Sequence, residues 1–124
     1  DQDAFVRVFR PNGSVAWTRQ FGSAESEQVG AVAVDRGCRI YVVGSTSGAL
    51  PGLGNKGGED VFVRKLRPNG SVAWTRQSGS NQTDLAVGAA VDPSASLVVS
   101  GTSTGALPGQ VSKGGADAFV RKFK

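Results

Sequence analysis

The sequence predicts an all-β protein made of repeated antiparallel sheets, and three observations support this prediction. A block of 57 residues occurs at 3–59 and again at 60–116, and its first strand begins a third time at 117–124. Short alternating apolar segments are joined by Pro-Asn-Gly turns. Glycine is the commonest residue, with 18 of 124 positions, and long apolar helical stripes are absent. Because one repeat cannot bury its own apolar face, the repeats are expected to stack on one another.

The first two strands of each repeat form a predicted hairpin. Residues 4–10 alternate between two faces, as a strand does. Proline fixes a negative φ, so Pro11-Asn12-Gly13 fits a type I turn that ends in a glycine at positive φ and forms a bulge. Residues 14–21 then return antiparallel, and Gly70 ends the same turn in the second repeat. One face of the first strand carries Phe5, Arg7 and Phe9, and the other carries Ala4, Val6 and Val8.

The next strands, at 29–34 and 86–91, consist of small apolar residues on both faces. Such strands are expected to be buried on both sides at the narrow centre of a radial array. Turns at 35–38 and 92–95 lead into second strands at 39–44 and 96–101. Asp35 and Asp92 are expected to accept hydrogen bonds from their own turn backbone. Cys38, which aligns with Ala95, is expected to be a plain turn residue.

Each repeat therefore predicts four antiparallel strands, ordered from a small inner strand to a Trp-bearing outer strand, which is the blade of a β-propeller. The chain holds about two blades in permuted register: an outer pair at 3–22, a whole blade at 29–78 and an inner trio at 86–124. The long connections 47–59 and 104–116 each contain Gly-Ala-Leu-Pro-Gly, and Leu50 and Leu107 are expected to hold them on the blades. The predicted packing and turn residues are Trp17, Trp74, Phe5, Phe62, Phe119, Gly13 and Gly70.

The repeated motif resembles the SBBP repeat, a β-propeller repeat found mainly in secreted or cell-surface bacterial proteins. The resemblance covers nearly the whole chain. It implies a propeller fold and an extracellular or cell-surface location, but the family has no single shared activity. The residues that carry it are Phe5, Phe62 and Phe119, Trp17 and Trp74, Arg19 and Arg76, Gln20 and Gln77, Val34-Asp35 and Val91-Asp92.

Closure of a ring is the main problem that the repeat count raises. A propeller closes with about four to eight blades, so this chain is expected to be completed by identical chains or by further repeats of a longer protein. Residues 14–20 of another copy could supply the outer strand that the last blade lacks. Residues 117–123 duplicate 3–9, so a closed oligomer would carry a surplus strand. This overlap favours a fragment of a larger protein, or a head-to-tail assembly in which one copy of the strand is displaced or used as a clamp, and a rotation that does not close would give a filament. The absence of Met suggests a processed product, an excised fragment or an engineered piece.

The composition argues against most catalytic and metal chemistry. Histidine is absent and Cys38 is the only cysteine, so the usual general base, an intrachain disulfide and a cysteine-based zinc cluster are excluded. No acidic series has the spacing of a calcium loop. We therefore predict no enzymatic activity, no cofactor and no metal site. No apolar run is long enough for a membrane span. The formal charge of +4 is spread in register with the repeat, which favours a solvated face over a nucleic-acid surface.

Four connections are predicted to open on the same end of the ring: 22–28, 47–59, 79–85 and 104–116. They are rich in Ser, Thr, Asn, Gln and Gly, which suits binding to a glycan or to a polar protein surface. The leading prediction is a noncatalytic scaffold or binding module. The alternatives are a self-assembling element of a surface layer or fibre, and a segment of a larger secreted enzyme. The candidate ligand-binding residues are Glu25, Glu27, Gln28, Asn55, Lys56, Asn81, Gln82, Asp84 and Lys113.

Overall fold

The computed structural model describes residues 1–124 and is all-β, as predicted. Sheet 1 has two strands, sheet 2 has four in sequential order, and sheet 3 has three, with every neighbouring pair antiparallel. The predicted grouping of strands is therefore confirmed. The strands are β1 (Ala4–Phe9) and β2 (Val15–Phe21) in sheet 1; β3 (Glu27–Val34), β4 (Ile40–Thr46), β5 (Asp60–Leu66) and β6 (Val72–Ser78) in sheet 2; and β7 (Asp84–Val91), β8 (Leu97–Ser103) and β9 (Asp117–Phe123) in sheet 3.

The two Pro-Asn-Gly hairpins have the geometry that the sequence predicts. Gly13 and Gly70 have φ values of +88° and +87°, a region that favours glycine. The strand register shifts between Val8 and Phe9 in the first hairpin and at the equivalent place in the second, which marks the bulge. The Asn12 side chain accepts a hydrogen bond from the Ser14 amide at 3.0 Å and fixes the turn.

The turns between the first and second strands of sheets 2 and 3 are also confirmed. Cys38 and Ala95 have φ values of +60° and +63°, so both occupy the left-handed region at the same point of the repeat. Asp35 and Asp92 organise these turns through their carboxylates, as expected. The backbone donors to Oδ1 are Gly37 and Arg39 for Asp35, and Ser94 and Ser96 for Asp92.

Sheet 2 lies between the other two sheets and packs on both of them. Successive side chains of its strands point to opposite faces, and both faces carry apolar residues. Every residue of β4 is buried. Leu50 from the first long connection is buried in the core between sheets 1 and 2, which confirms its expected role. The core between sheets 1 and 2 contains Ala4, Ile40, Val42, Leu50, Phe62 and Leu66; the core between sheets 2 and 3 contains Tyr41, Val43, Val61, Val63, Ala86, Leu97 and Val99.

Strands β3 and β7 approach each other closely, and small residues permit this. A Cβ added to Gly30 would lie 2.9 Å from the carbonyl carbon of Ala86 and closer still to its oxygen. The expected burial of β3 and β7 on both faces is wrong, since Val32 and Val34 are 57% and 58% exposed and Val87 is 64% exposed. The physical reason is that sheet 1 has no strands opposite β3 to cover that face.

The outer face of sheet 1 is uncovered. Phe5 and Phe9 are 66% and 59% exposed, whereas their counterparts one repeat later, Phe62 and Leu66, are buried. These four residues occupy matching positions in β1 and β5, so their difference in burial comes from the number of stacked sheets.

Candidate functional site

The long connections 47–59 and 104–116 contact the shorter connections 22–28 and 79–85 at one end of the stack, as the sequence predicts. The Ser47 amide donates to the carbonyl of Ser26 at 3.0 Å, and the Thr104 amide donates to the carbonyl of Thr83 at 3.0 Å. A further bond from the Gly58 amide to the Gln82 carbonyl, at 3.1 Å, joins the first long connection to the second short one. We call this surface, formed by residues 22–28, 47–59, 79–85 and 104–116, the loop-bearing end.

Two of the predicted ligand-binding residues, Glu27 and Asp84, hold this end together from inside. Both side chains are buried. The Glu27 carboxylate accepts hydrogen bonds from the Ser23 amide at 2.9 Å and the Thr46 hydroxyl at 2.7 Å. At the equivalent position of the next repeat, Asp84 makes the same kind of contacts with Ser80 and Ser103. Their oxygens face into the fold, where they anchor the loops.

Asn55 also organises its own loop. Its amide nitrogen donates to the carbonyls of Ser47 and Gly48 at 3.0 and 3.1 Å, and its oxygen accepts from the Gly57 amide at 2.7 Å. The amides of Lys56 and Lys113 donate to the carboxylates at the start of β5 and β9. The charged ends of these two lysines therefore take no part in those contacts.

The remaining candidates lie on the outside of the loop-bearing end. Asn81 and Gln82 lie against the Gly57-Gly58 pair of the first long connection. The contact is so close that a Cβ on Gly57 would overlap the Asn81 carbonyl group. Glu25 lies beside Gly48, as Gln82 lies beside Gly105 one repeat later. The candidates thus form one cluster per repeat instead of a single pocket. The exposed members are Glu25, Gln28, Asn55, Lys56, Asn81, Gln82 and Lys113.

A pair of buried carboxylates underlies the second of these clusters. Asp60 is 0% exposed; its Oδ2 accepts from the Lys56 amide at 2.6 Å and from Gln77 Nε2 at 3.2 Å, and its Oδ1 has no hydrogen-bond partner. A Cβ added to Gly79 would overlap both Asp60 Oδ1 and Asp84 Oδ2, so the two carboxylates converge there. No group of three or more His, Cys, Asp or Glu side chains is arranged to hold a metal ion.

A second set of contacts, which no sequence pattern predicts, joins sheet 1 to the turn of the next hairpin. Trp17 Nε1 donates to the carbonyl of Pro68 at 3.0 Å, and Arg19 Nε donates to the carbonyl of Gly70 at 3.0 Å. The Trp17 ring also covers Gly70, where an added Cβ would lie 2.9 Å from Trp17 Cδ2. We call the contacts of Trp17 and Arg19 with Pro68 and Gly70 the turn clasp.

The chain carries two unformed halves of the same clasp. Trp74 and Arg76 occupy the positions of Trp17 and Arg19 in the repeat, but neither side chain bonds a hairpin turn in this structure. The Arg76 guanidinium donates only to the adjacent Thr75 carbonyl, at 3.3 Å, and lies over the Trp74 ring. At the other end of the molecule, Gly13 has no atom within 4 Å of the Cβ position that Trp17 covers at Gly70.

The outer strand of sheet 2 also anchors the long connection. Gln77 on β6 accepts from the Leu50 amide at 3.0 Å and donates to the Gly48 carbonyl at 2.8 Å. Sheet 3 has no such strand, and Leu107 is less buried than Leu50. In its place lies a cavity of about 600 Å³, lined among others by Ser78, Leu107, Lys113, Asp117 and Phe119.

The pKa values of Asp35 and Asp92 are lowered. Burial alone would raise the pKa of Asp35, but hydrogen bonds from the Arg39 amide, the Tyr41 hydroxyl and the Arg39 guanidinium outweigh it and place that pKa below its ordinary value. The ammonium group of Lys122, 2.8 Å away, is the main cause of the lowered pKa of Asp92. Both groups sit at the end of the stack opposite the loop-bearing end, where they stabilise turns.

Comparison of the chain with protein-family models and with curated proteins finds no match. No helix of the chain is long and apolar enough to cross a membrane.

Proposed function

We propose that this chain is a noncatalytic scaffold of the β-propeller type, in which sheets 1, 2 and 3 are an outer half-blade, a whole blade and an inner three-stranded blade. The observation that carries the proposal is the uncovered Phe5 and Phe9 face, whose counterparts in the next repeat are buried by a stacked sheet. An exposed apolar face of this kind is typical of an interaction surface, which a further copy or repeat would cover.

The wedge shape of the packing supports a radial arrangement. At the first strands, Gly30 and Ala86 bring sheets 2 and 3 close together. At the outer strands, the large Trp17 side chain fills the space between sheet 1 and the hairpin turn of sheet 2. Small residues at one edge and tryptophans at the other favour sheets that fan around an axis. This arrangement, together with the repeated motif residues, also favours membership of the SBBP-type repeats and an extracellular location.

The loop-bearing end is the proposed binding surface. Asn81, Gln82 and Lys56 are exposed there on loops that the buried carboxylates hold in place. Polar side chains on a rigid support suit hydrogen bonding to a glycan or to a polar protein surface. A catalytic role finds less support, because the buried carboxylates on either side of Gly79 lie beneath the loops and face away from solvent.

An open assembly is the second candidate, because β1 and β9 repeat one another. A head-to-tail contact that does not close yields a fibre instead of a ring. Native mass spectrometry across micromolar concentrations tests both candidates. One discrete multiple of the chain mass is expected for a closed scaffold, and growth that continues with concentration would indicate a fibre. A chain that stays monomeric throughout would contradict completion by self-association.

A further inference from the structure

Strand β9 pairs with the edge of β8, and the β1 strand of a second copy could pair with the same edge and bring further contacts. It pairs with β8 on one side only, whereas its counterpart β5 pairs on both sides. β9 and the segment that begins at Asp3 have the same sequence except for Lys122, where β1 has Val8. The β1 strand of a second copy therefore has nearly every side chain that β9 uses against β8.

The β1–β2 hairpin would bring the missing outer strand with it. β2 and β6 are identical except at the last position, which is Phe21 in one and Ser78 in the other. In sheet 2, β6 completes the order β3-β4-β5-β6. A hairpin from a second copy placed beside β8 would give sheet 3 the same four-stranded order.

This placement also satisfies the second long connection. Gln20 Nε2 bonds only Asp3 Oδ2 in the separate chain, at 2.9 Å, while Gln77 makes the equivalent bond and also holds Leu50 and Gly48. Beside β8 of another copy, Gln20 would reach the amide of Leu107 and the carbonyl of Gly105. The strand β2 would occupy the cavity of about 600 Å³ next to β9.

The unformed turn clasp is completed at the same time. The hairpin turn of the second copy would place the carbonyls of Pro11 and Gly13 where Trp74 and Arg76 can donate to them. These are the repeat counterparts of the Pro68 and Gly70 carbonyls that Trp17 and Arg19 bond at 3.0 Å. The second copy needs no change of conformation, because its hairpin remains packed on its own sheet 2.

The uncovered apolar residues of the chain fit this placement. Phe5 and Phe9 of the inserted hairpin would pack where Phe119 and Phe123 now contact sheet 2. Strands β7 and β8 would lie against the cavity of about 510 Å³ beside β3, which includes Val29, Val32 and Val34. The hydrogen bonds between β8 and β9 are replaced by the same bonds between β8 and the β1 strand of the second copy. The additional contacts of β2, the turn clasp and β3 therefore decide whether the two copies associate. The losses are the contacts of Phe119 and Phe123 with the core, which Phe5 and Phe9 replace, and the partly exposed ion pair between Lys122 and Asp92, a kind of contact that contributes little.

We infer that two copies of this chain join by strand exchange: the β1–β2 hairpin of one copy displaces β9 of the other and pairs with its β8. In the separate chain, β9 is a placeholder on that edge. The inference rests on the proposed function and adds to it the identity of the partner and the strands that meet.

Two engineered disulfides test this exchange in the full chain, with Cys38→Ser to remove the native thiol. Thr102→Cys with Ala118→Cys would lock β9 to β8, because these residues are directly paired. Arg7→Cys with Thr18→Cys would lock β1 to β2 inside the hairpin. Each oxidised protein is compared with its reduced form by native mass spectrometry.

We expect the β8–β9 lock to weaken association by at least about tenfold and reduction to restore it, while the hairpin lock leaves association unchanged. The opposite result would overturn the inference, because it would mean that β2 alone adds to β9 after releasing β1. Association that neither lock affects would also overturn it and leave the proposed scaffold standing. If the reduced proteins and the wild type are all monomeric, the self-association in the proposed function fails as well.

Discussion

The indole N–H of Trp17 donates to the carbonyl oxygen of Pro68 at 3.0 Å, across 51 positions of the chain and from sheet 1 to sheet 2. Trp74 has the same place in the repeat, but its indole N–H bonds no hairpin turn in this structure. The two tryptophans thus form a natural pair in which one makes the contact between sheets and the other does not.

We expect Trp17→Phe to lower the free energy of unfolding by about 1 kcal/mol more than Trp74→Phe does. The reason is that only Trp17 has a hydrogen bond to a hairpin turn and a ring contact with Gly70 to lose. Urea denaturation of the monomer at low protein concentration measures the difference. Equal losses in the two variants would show that the bond to Pro68 adds nothing to stability.

Asp60→Asn is expected to raise the free energy of unfolding by about 1 kcal/mol at neutral pH. Its amide could keep the bonds from Lys56 and Gln77 and place an N–H group at the unpartnered Oδ1 position, facing Asp84. Asp84→Asn is the matched control, and we expect it to destabilise the protein because both of its oxygens already accept hydrogen bonds. Thermal unfolding measures both variants, and a lower melting temperature for Asp60→Asn would contradict the prediction.

The turn glycines are expected to respond differently to Ala. Both Gly13→Ala and Gly70→Ala introduce a side chain at positive φ, which costs about 1 kcal/mol. Gly70→Ala should cost more in the separate chain, because the new Cβ meets the Trp17 ring at 2.9 Å, and the same site at Gly13 is open. Denaturation curves compare the two variants. Similar losses would mean that the Trp17 ring moves aside easily.

The lowered pKa of Asp35 predicts that the protein loses stability in acid. A carboxyl group whose pKa is lowered in the folded protein contributes stability above its ordinary pKa of 3.8, and this contribution disappears as the pH falls through the folded value. We therefore expect the wild type to lose stability below about pH 4. Asp35→Asn should be less stable at pH 7 and change less between pH 5 and pH 3. Urea midpoints at these pH values give the comparison, and parallel curves for the two proteins would contradict it.

Binding at the loop-bearing end is expected to depend on Asn81 and Gln82. Replacing both with Ala should weaken binding to an immobilised glycan or protein ligand by about tenfold or more, because each loses polar contacts at an exposed surface. Arg36→Ala is the control, since Arg36 is exposed in a turn at the opposite end. A glycan array followed by titration provides the measurement. An equal loss in the control variant would indicate binding elsewhere.

The local features of the fold were predictable because they depend on residues close in sequence. The bulged hairpins at Gly13 and Gly70 and the carboxylate-bonded turn at Asp35 follow from turn chemistry alone. The grouping of strands into sheets followed from the repeat.

Contacts between repeats were not predictable in the same way. The bonds from Arg19 to Gly70 and from Gln77 to Leu50 join residues far apart in sequence, and either side chain could have pointed into solvent. Glu27 and Asp84 resembled exposed loop acids, and only the fold shows that hydroxyl and amide donors surround them. Whether β3 is covered depends on how many sheets are present, which no local pattern encodes.

The close approach of Gly30 to Ala86 limits how such a sequence can diverge. Gly30 is exposed and lies away from the loop-bearing end, yet any side chain there must push two sheets apart. A change at this position would be felt along both sheets, whereas Asn81 or Lys56 could be replaced without altering their spacing. Over evolutionary time, the narrow edge is expected to stay nearly constant while the loops acquire new specificities.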